Sequence, residues 1–360
     1  MAKRKATAPP ARAGRRSKRS KTTNCTPEFI WKPRDWAEKK AISNRVSVLA
    51  SKTNRGRLVV KKVMRVTPNS ANDPRPLEIR AVSQLPDCNR VVKPIFFSPA
   101  DPDAAQGTAI FEHLPLGDLM AWKAACFDQK NLKPVPESFI WRFFLGPRRE
   151  ERHCMIHRDI KPNNILVVDN GTTYPSFKLA DFGCALLYQR QKASRPARCG
   201  TFEWQPPENP VINTRAADIW ALGASTHFLA TGQGPLQSIA QYTIARWNEN
   251  NGHPASAQNY NPPARYYATR VPREVTPINL STTQQIARGI APYINPNRAD
   301  YNHQYSDELN GWMSQCLRAT PGRRPTVQRL LNSMTPMAKD LLKQIGGQAA
   351  LTDLDFDSGP

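Results

Sequence analysis

One short run constrains the fold of this chain more than anything else in it: HRDIKPNN at residues 157–164, followed by DFG at 181–183. The run sets polar groups in a fixed order on two loops. Asp159 can accept a hydroxyl proton, Lys161 can neutralise a phosphoryl group in transit, and Asn164 and Asp181 can hold Mg²⁺ between phosphates. The apolar blocks Ile165–Val168 and Phe177–Ala180 have the length and branching of short strands. Two such strands would carry both loops to one edge.

At these residues the chain resembles the eukaryotic protein kinase family, in its Ser/Thr branch, because Lys161 stands two places after Asp159. The resemblance covers about residues 40–335. It implies an α+β, bilobal fold, with a small antiparallel sheet and one helix, then a mostly helical lobe. It also implies ATP and Mg²⁺ as cofactors and a protein substrate. The degenerate small lobe is similar to that of divergent fungal kinases.

The 360 residues carry a net charge of +22, and nine of the Lys and Arg residues lie in residues 1–27, which hold no acid. Such a segment cannot offset its ordering entropy, so a disordered basic tail is expected. Its clusters at 3–5 and 15–21 have the form of a bipartite import signal, which points to an import receptor as partner and to the nucleus and/or cytoplasm. Sequence-blind phosphate contacts with nucleic acid are the other reading of the tail. No apolar run has the length of a membrane span, and no apolar leader opens the chain. Seven cysteines without paired spacing are expected as reduced thiols. Oligomeric state is not legible.

The expected small lobe is 28–114. It opens with an aromatic lead-in at 29–36 and a hairpin of strands 45–50 and 57–66 turning at 53–56. A helix over 76–84 and strands at 91–97 and 108–112 follow. The large lobe, 115–345, is expected to hold an apolar helix at 218–230 and an amphipathic one at 327–345. Residues 245–305, rich in Asn, Pro and Tyr, read as a surface insertion with one helix near 282–289. Residues 346–360 read as a mobile acidic tail.

The family resemblance assigns further roles. It places a phosphate-holding lysine on the third strand, paired with a glutamate of the next helix. Glu78 has the right separation, and Lys61 is preferred over its neighbour Lys62, since alternation sets the two on opposite faces. Glu112 and Leu114 would present hinge backbone to adenine, with Phe111 behind the pocket. Asp118 could contact ribose or a substrate arginine. His157 would pack under Phe182, in a column continued by Val82. Arg158 would meet a phosphate on the loop after DFG, where Ser194 is preferred over Tyr188 as phosphosite. Thr201 would bridge Asp159 and Lys161. Glu208 and Arg324 would form a buried pair, and Asp218 would hold the catalytic-loop backbone. Cys184 reads as a small apolar residue.

Two departures open an alternative, a pseudokinase scaffold that binds partners without efficient transfer. Residues 39–50 contain no glycine where the family has a glycine-rich loop. Gly146-Pro147 should also stop the helix before the catalytic loop early.

Overall fold

The computed structural model describes residues 29–66, 73, 75–129, 133–145, 155–187, 199–209, 214–260, 264–290 and 303–354. The basic tail, Tyr188, Ser194, Gly146-Pro147 and residues 355–360 lie outside them.

The small lobe is a five-stranded antiparallel sheet: β1 Trp36–Ser43, β2 Val46–Ser51, β3 Leu58–Arg65, β4 Pro94–Pro99 and β5 Gln106–Glu112. Their order is β1-β2-β3-β5-β4. Helix α1, Leu77–Ser83, lies on one face. Its buried Ile79 packs with Met64, Val92, Ala109 and Phe111. The opposite face buries Leu49, Val59 and Ile110 under Phe29, Trp31, Trp36 and Phe96. The lead-in aromatics thus cover the outer side of the sheet, and β1 follows them as a strand that sequence periodicity did not reveal. Its residues after Trp36 are all exposed, so no apolar alternation marks it.

The large lobe is mainly helical: α2 Leu119–Lys123, α3 Glu137–Phe144, α4 Arg215–Thr231, α5 Ile239–Asn250, α6 Ala264–Ala268, α7 Thr282–Ala287, α8 Asp307–Cys316, α9 Val327–Arg329 and α10 Thr335–Gly346. A π-helical turn at Leu330–Met334 joins α9 to α10. Twelve of the seventeen residues of α4 are buried, so this helix runs through the core with almost no wet face. Gly223 permits that packing, because a Cβ there would lie 2.8 Å from Cys316 Cβ on α8. Around α4 gather Trp141, Phe144, Leu309, Met313 and Leu342, all buried. No helix among the described residues is long and apolar enough to cross a membrane.

Two expectations need correction. Residues 245–305 are not a surface insertion throughout, since Tyr267, Ile278, Leu280 and Tyr305 are buried. Their apolar residues are spaced irregularly, which hid a core role among many Asn and Pro. The end of the chain is likewise not a free tail as far as residue 354. Ala350 and Leu354 enter the main core, and buried Arg142 of α3 donates to the carbonyls of Ala350 and Thr352 at 2.6 and 2.8 Å.

Near the end of α4, His227 is buried as a neutral ring. Its Nδ1 lies 2.8 Å from the Gln233 carbonyl, and its Nε2 accepts from the Thr276 amide at 3.2 Å. Burial depresses its pKa to about 4, against the partial support of those backbone groups. The unfolded chain therefore takes up a proton near pH 6.5 that the folded chain refuses. Stability from this group is complete above that pH and is lost as pH falls from about 6.5 to 4, by about 3 kcal/mol in all. Denaturant titrations across that range should show the slope in the wild type, and His227→Gln should flatten it.

Candidate active site

After the two-residue strand β6, Met155–Ile156, strands β7, Ile165–Val168, and β8, Ser176–Leu179, pair antiparallel, with Ile165 opposite Leu179. Asn164 precedes one partner and Asp181 follows the other by two residues. The Ala180 amide also donates to the Asn164 carbonyl at 2.9 Å. The short ladder therefore sets the two loops side by side, as their apolar blocks predicted.

The first cluster joins the lobes. Lys62 Nζ donates to Glu78 Oε2 at 2.6 Å and to Asp181 Oδ1 at 2.9 Å. This corrects the preference for Lys61. Along β3, Val60, Lys62 and Met64 share the face that meets α1, whereas Lys61 shares the outer face with Val59. Alternation separated the two lysines correctly, but the choice of inner face was wrong. Burial works against the Lys62 ammonium; Glu78 and then Asp181 outweigh it and hold its pKa above the ordinary lysine value. Burial also lifts Glu78, against the pull of Lys62. Asp181 resists its own burial through Lys62 and stays below the ordinary carboxylate range.

The second cluster surrounds Asp159. Thr201 Oγ1 donates to Asp159 Oδ1 at 2.8 Å and accepts from Lys161 Nζ at 2.7 Å. Lys161 Nζ is also 3.0 Å from Asp159 Oδ2. Asn164 Nδ2 donates to the Asp159 carbonyl at 2.8 Å and to its Oδ2 at 3.1 Å. That leaves the Asn164 side-chain oxygen and the Asp181 carboxylate as hard oxygen donors, which suit Mg²⁺ rather than a soft metal. Asp181 keeps 45% of its side chain exposed, so it is reachable from the cleft.

Behind both clusters stands a buried frame. Asp218 accepts from the His157 and Arg158 amides at 2.7 and 2.8 Å. The His157 ring meets Phe182 edge-on with centroids 4.7 Å apart. Phe182 packs with Ala81, Val82 and Ala185, so the helix that carries Glu78 rests on the DFG phenylalanine. Burial lowers the His157 pKa against nearby Asp218, leaving it a neutral packing group. Arg324 and Glu208 form a bidentate pair at 2.9 and 2.6 Å, with Arg324 against Trp220.

The other predicted residues have these places. Asp118 caps α2, accepting from the Ala121 amide at 2.8 Å. Glu112 ends β5 and pairs with Lys178 at 3.4 Å. The Leu114 carbonyl accepts from the Gly117 amide at 3.1 Å in the turn that follows. Phe111 is buried under the sheet. Arg158 has a left-handed backbone and donates from Nε to the Cys184 carbonyl at 2.6 Å. Cys184 is not a thiol here; it is joined to Cys199. Sequence reasoning counted cysteines but did not weigh that these two bracket one segment. The β1–β2 turn is Asn44-Arg45, and Ser43 accepts from the Arg45 amide at 3.3 Å.

A five-stranded lobe with one helix, a helical lobe, and these two clusters define a protein-kinase-like fold. The family model for the protein kinase domain matches residues 45–334, and the chain belongs to that family. It is 30% identical over 193 residues to the dual specificity mitogen-activated protein kinase kinase hemipterous of Drosophila melanogaster, covering 50% of this chain and 15% of the relative. It is 29% identical over 214 residues to the corresponding kinase mek-2 of Caenorhabditis elegans, covering 56% and 50%. To dual specificity mitogen-activated protein kinase kinase 7 of Homo sapiens it is 32% identical over 133 residues, covering 34% and 30%. The chain thus spans half or less of the length of these relatives.

Proposed function

We propose that this chain transfers the γ-phosphoryl group of ATP to Ser/Thr hydroxyls of a protein substrate. The observation that carries this reading is a pair of polar clusters, Lys62, Glu78 and Asp181 in one and Asp159, Lys161, Thr201 and Asn164 in the other, on loops joined where the Ala180 amide donates to the Asn164 carbonyl. Asp159 orients the acceptor hydroxyl and takes its proton. Lys161, 3.0 Å from that carboxylate, neutralises charge on the phosphoryl group as it moves. Lys62 is held charged by Glu78 and aims at the phosphates. The hinge backbone at Glu112 and Leu114 receives adenine. Asn164 and Asp181 would hold Mg²⁺, which when bound supplies charge neutralisation between the phosphates. Most of the rate gain is then positioning and preorganised charge.

The pseudokinase reading has one observation in its favour, the glycine-free turn at Asn44-Arg45, where side chains stand in the way of a close backbone approach to phosphate. Purified protein and MgATP on a degenerate peptide array separate the two. Active transfer predicts labelled Ser/Thr peptides and a loss of about 10²–10³-fold in Asp159→Asn. Equal labelling by the variant would defeat the kinase reading. Tyrosine acceptors belong in the array because the relatives named above are dual specificity kinases.

A further inference from the structure

Two cysteines with no part in the reaction bracket the segment after Gly183. Cys184 and Cys199 are joined by a disulfide, with Cα atoms 5.7 Å apart across 15 residues of sequence. Among the described residues Cys88 and Cys316 are free thiols. The Cα separation lies well inside the range a disulfide spans without backbone movement.

Both ends of the bracket rest on the catalytic loop or its neighbours. Arg158 Nε donates to the Cys184 carbonyl at 2.6 Å, and Gln205 Nε2 donates to the Cys199 carbonyl at 3.1 Å. Gly200, with φ of 107°, passes so close over Arg158 that a Cβ there would collide with the Arg158 carbonyl oxygen. The next residue is Thr201, which bridges Lys161 and Asp159. Cys199 also lines a small, partly open pocket of about 20 Å³ together with Asp159 and Thr201, room for one water-sized molecule. In sequence, residues 185–198 contain Arg190, Lys192, Arg195 and Arg198 and no acid.

We propose that Cys184 and Cys199 form a redox clasp, closed by hydrogen peroxide and opened by a dithiol, which in its closed form holds Thr201 in its bridge. In the closing reaction one thiolate attacks a peroxide oxygen, the O–O bond breaks, and a sulfenic acid forms with release of hydroxide, which is protonated to water. The second thiolate attacks the sulfenic sulfur, and the S–O bond breaks to give the disulfide and a second water. Two electrons from two thiols reduce one peroxide. A dithiol reverses the clasp by exchange, leaving as its own disulfide. The effect on turnover rests on the kinase reading above; the clasp itself does not.

The test uses the full chain, reduced with dithiothreitol, then freed of it and treated with hydrogen peroxide. Mass spectrometry of a non-reduced digest should show the peptide linked through Cys184 and Cys199 only after peroxide. Amide hydrogen exchange over residues 200–205 should be about fivefold or more slower in the oxidised form, and the rate on the peptide array should fall by about fivefold or more on reduction. The double variant Cys184→Ser, Cys199→Ser should stay at the reduced values in both states. The clasp is overturned if no linked peptide forms, if exchange is equal in the two states, or if the double variant follows the redox state as the wild type does. A chain that shows the exchange difference but transfers no phosphate in either state keeps the clasp and defeats the kinase reading.

Discussion

Lys62→Met should cut phosphoryl transfer by about 10²–10³-fold, whereas Lys61→Met should change it by less than about threefold. The two residues are chain neighbours of the same type, so charge and composition change equally in both variants. Only Lys62 reaches Glu78 and Asp181, at 2.6 and 2.9 Å. Removing it leaves Glu78, a buried carboxylate on α1, without its cation, and nothing then ties that helix to Asp181 through this pair. Initial rates on one array peptide measure the contrast. Equal losses in both variants would mean that β3 presents its other face to the nucleotide.

The second large effect is on stability. Arg142→Met should destabilise the fold by about 3–5 kcal/mol, read from denaturant midpoints. Arg142 is buried, and its guanidinium donates to the carbonyls of Pro175, Ala350 and Thr352 and to Ser176 Oγ, at 2.6 to 3.2 Å. Burial and then the neighbouring Arg90 lower its pKa to about 10, against the pull of Asp353, so it stays charged at neutral pH. Losing the guanidinium leaves the carbonyls of buried Pro175 and Ala350 and of half-buried Thr352 without this donor. The Asp353 carbonyl also accepts from Arg90 and Asn89, and its carboxylate accepts from Ser176. Residues 349–354 therefore strap the segment after α1 to the β7–β8 turn and α3. Ending the chain after Gly347 should cost a similar amount, and combining both changes should cost less than their sum, because they share the bonds from Arg142 to the Ala350 and Thr352 carbonyls. Full additivity would show that Arg142 acts elsewhere.

The catalytic loops were legible because their chemistry needs polar groups in a strict order, and because the intervening strands are short and mostly apolar. Strands β2 and β3 and helix α1 were legible for a related reason, since burial on one side imposes a period on the sequence, whereas α4, buried on nearly every side, showed as an apolar run. The misses have physical causes too. β1 has no buried face after Trp36 and so no period. Lys61 and Lys62 differ only in which face of β3 meets α1, a tertiary fact that strand alternation leaves open. The strap at 349–354 owes its place to an arginine 208 residues upstream, and acidic residues near the end of a chain look like a solvated tail. Cys184 and Cys199 gave a signal in their positions after DFG and before Gly200-Thr201, which a cysteine count discards.

Nucleotide binding measured by calorimetry, with and without Mg²⁺, tests the convergence of the two loops most directly. The wild type should bind ATP more tightly with Mg²⁺ than without, and Asp181→Ala should abolish that difference while still raising the melting temperature at saturating ATP. Binding that ignores Mg²⁺ in the wild type, or a Mg²⁺ effect that survives in Asp181→Ala, would contradict a shared metal–nucleotide site between Asn164 and Asp181.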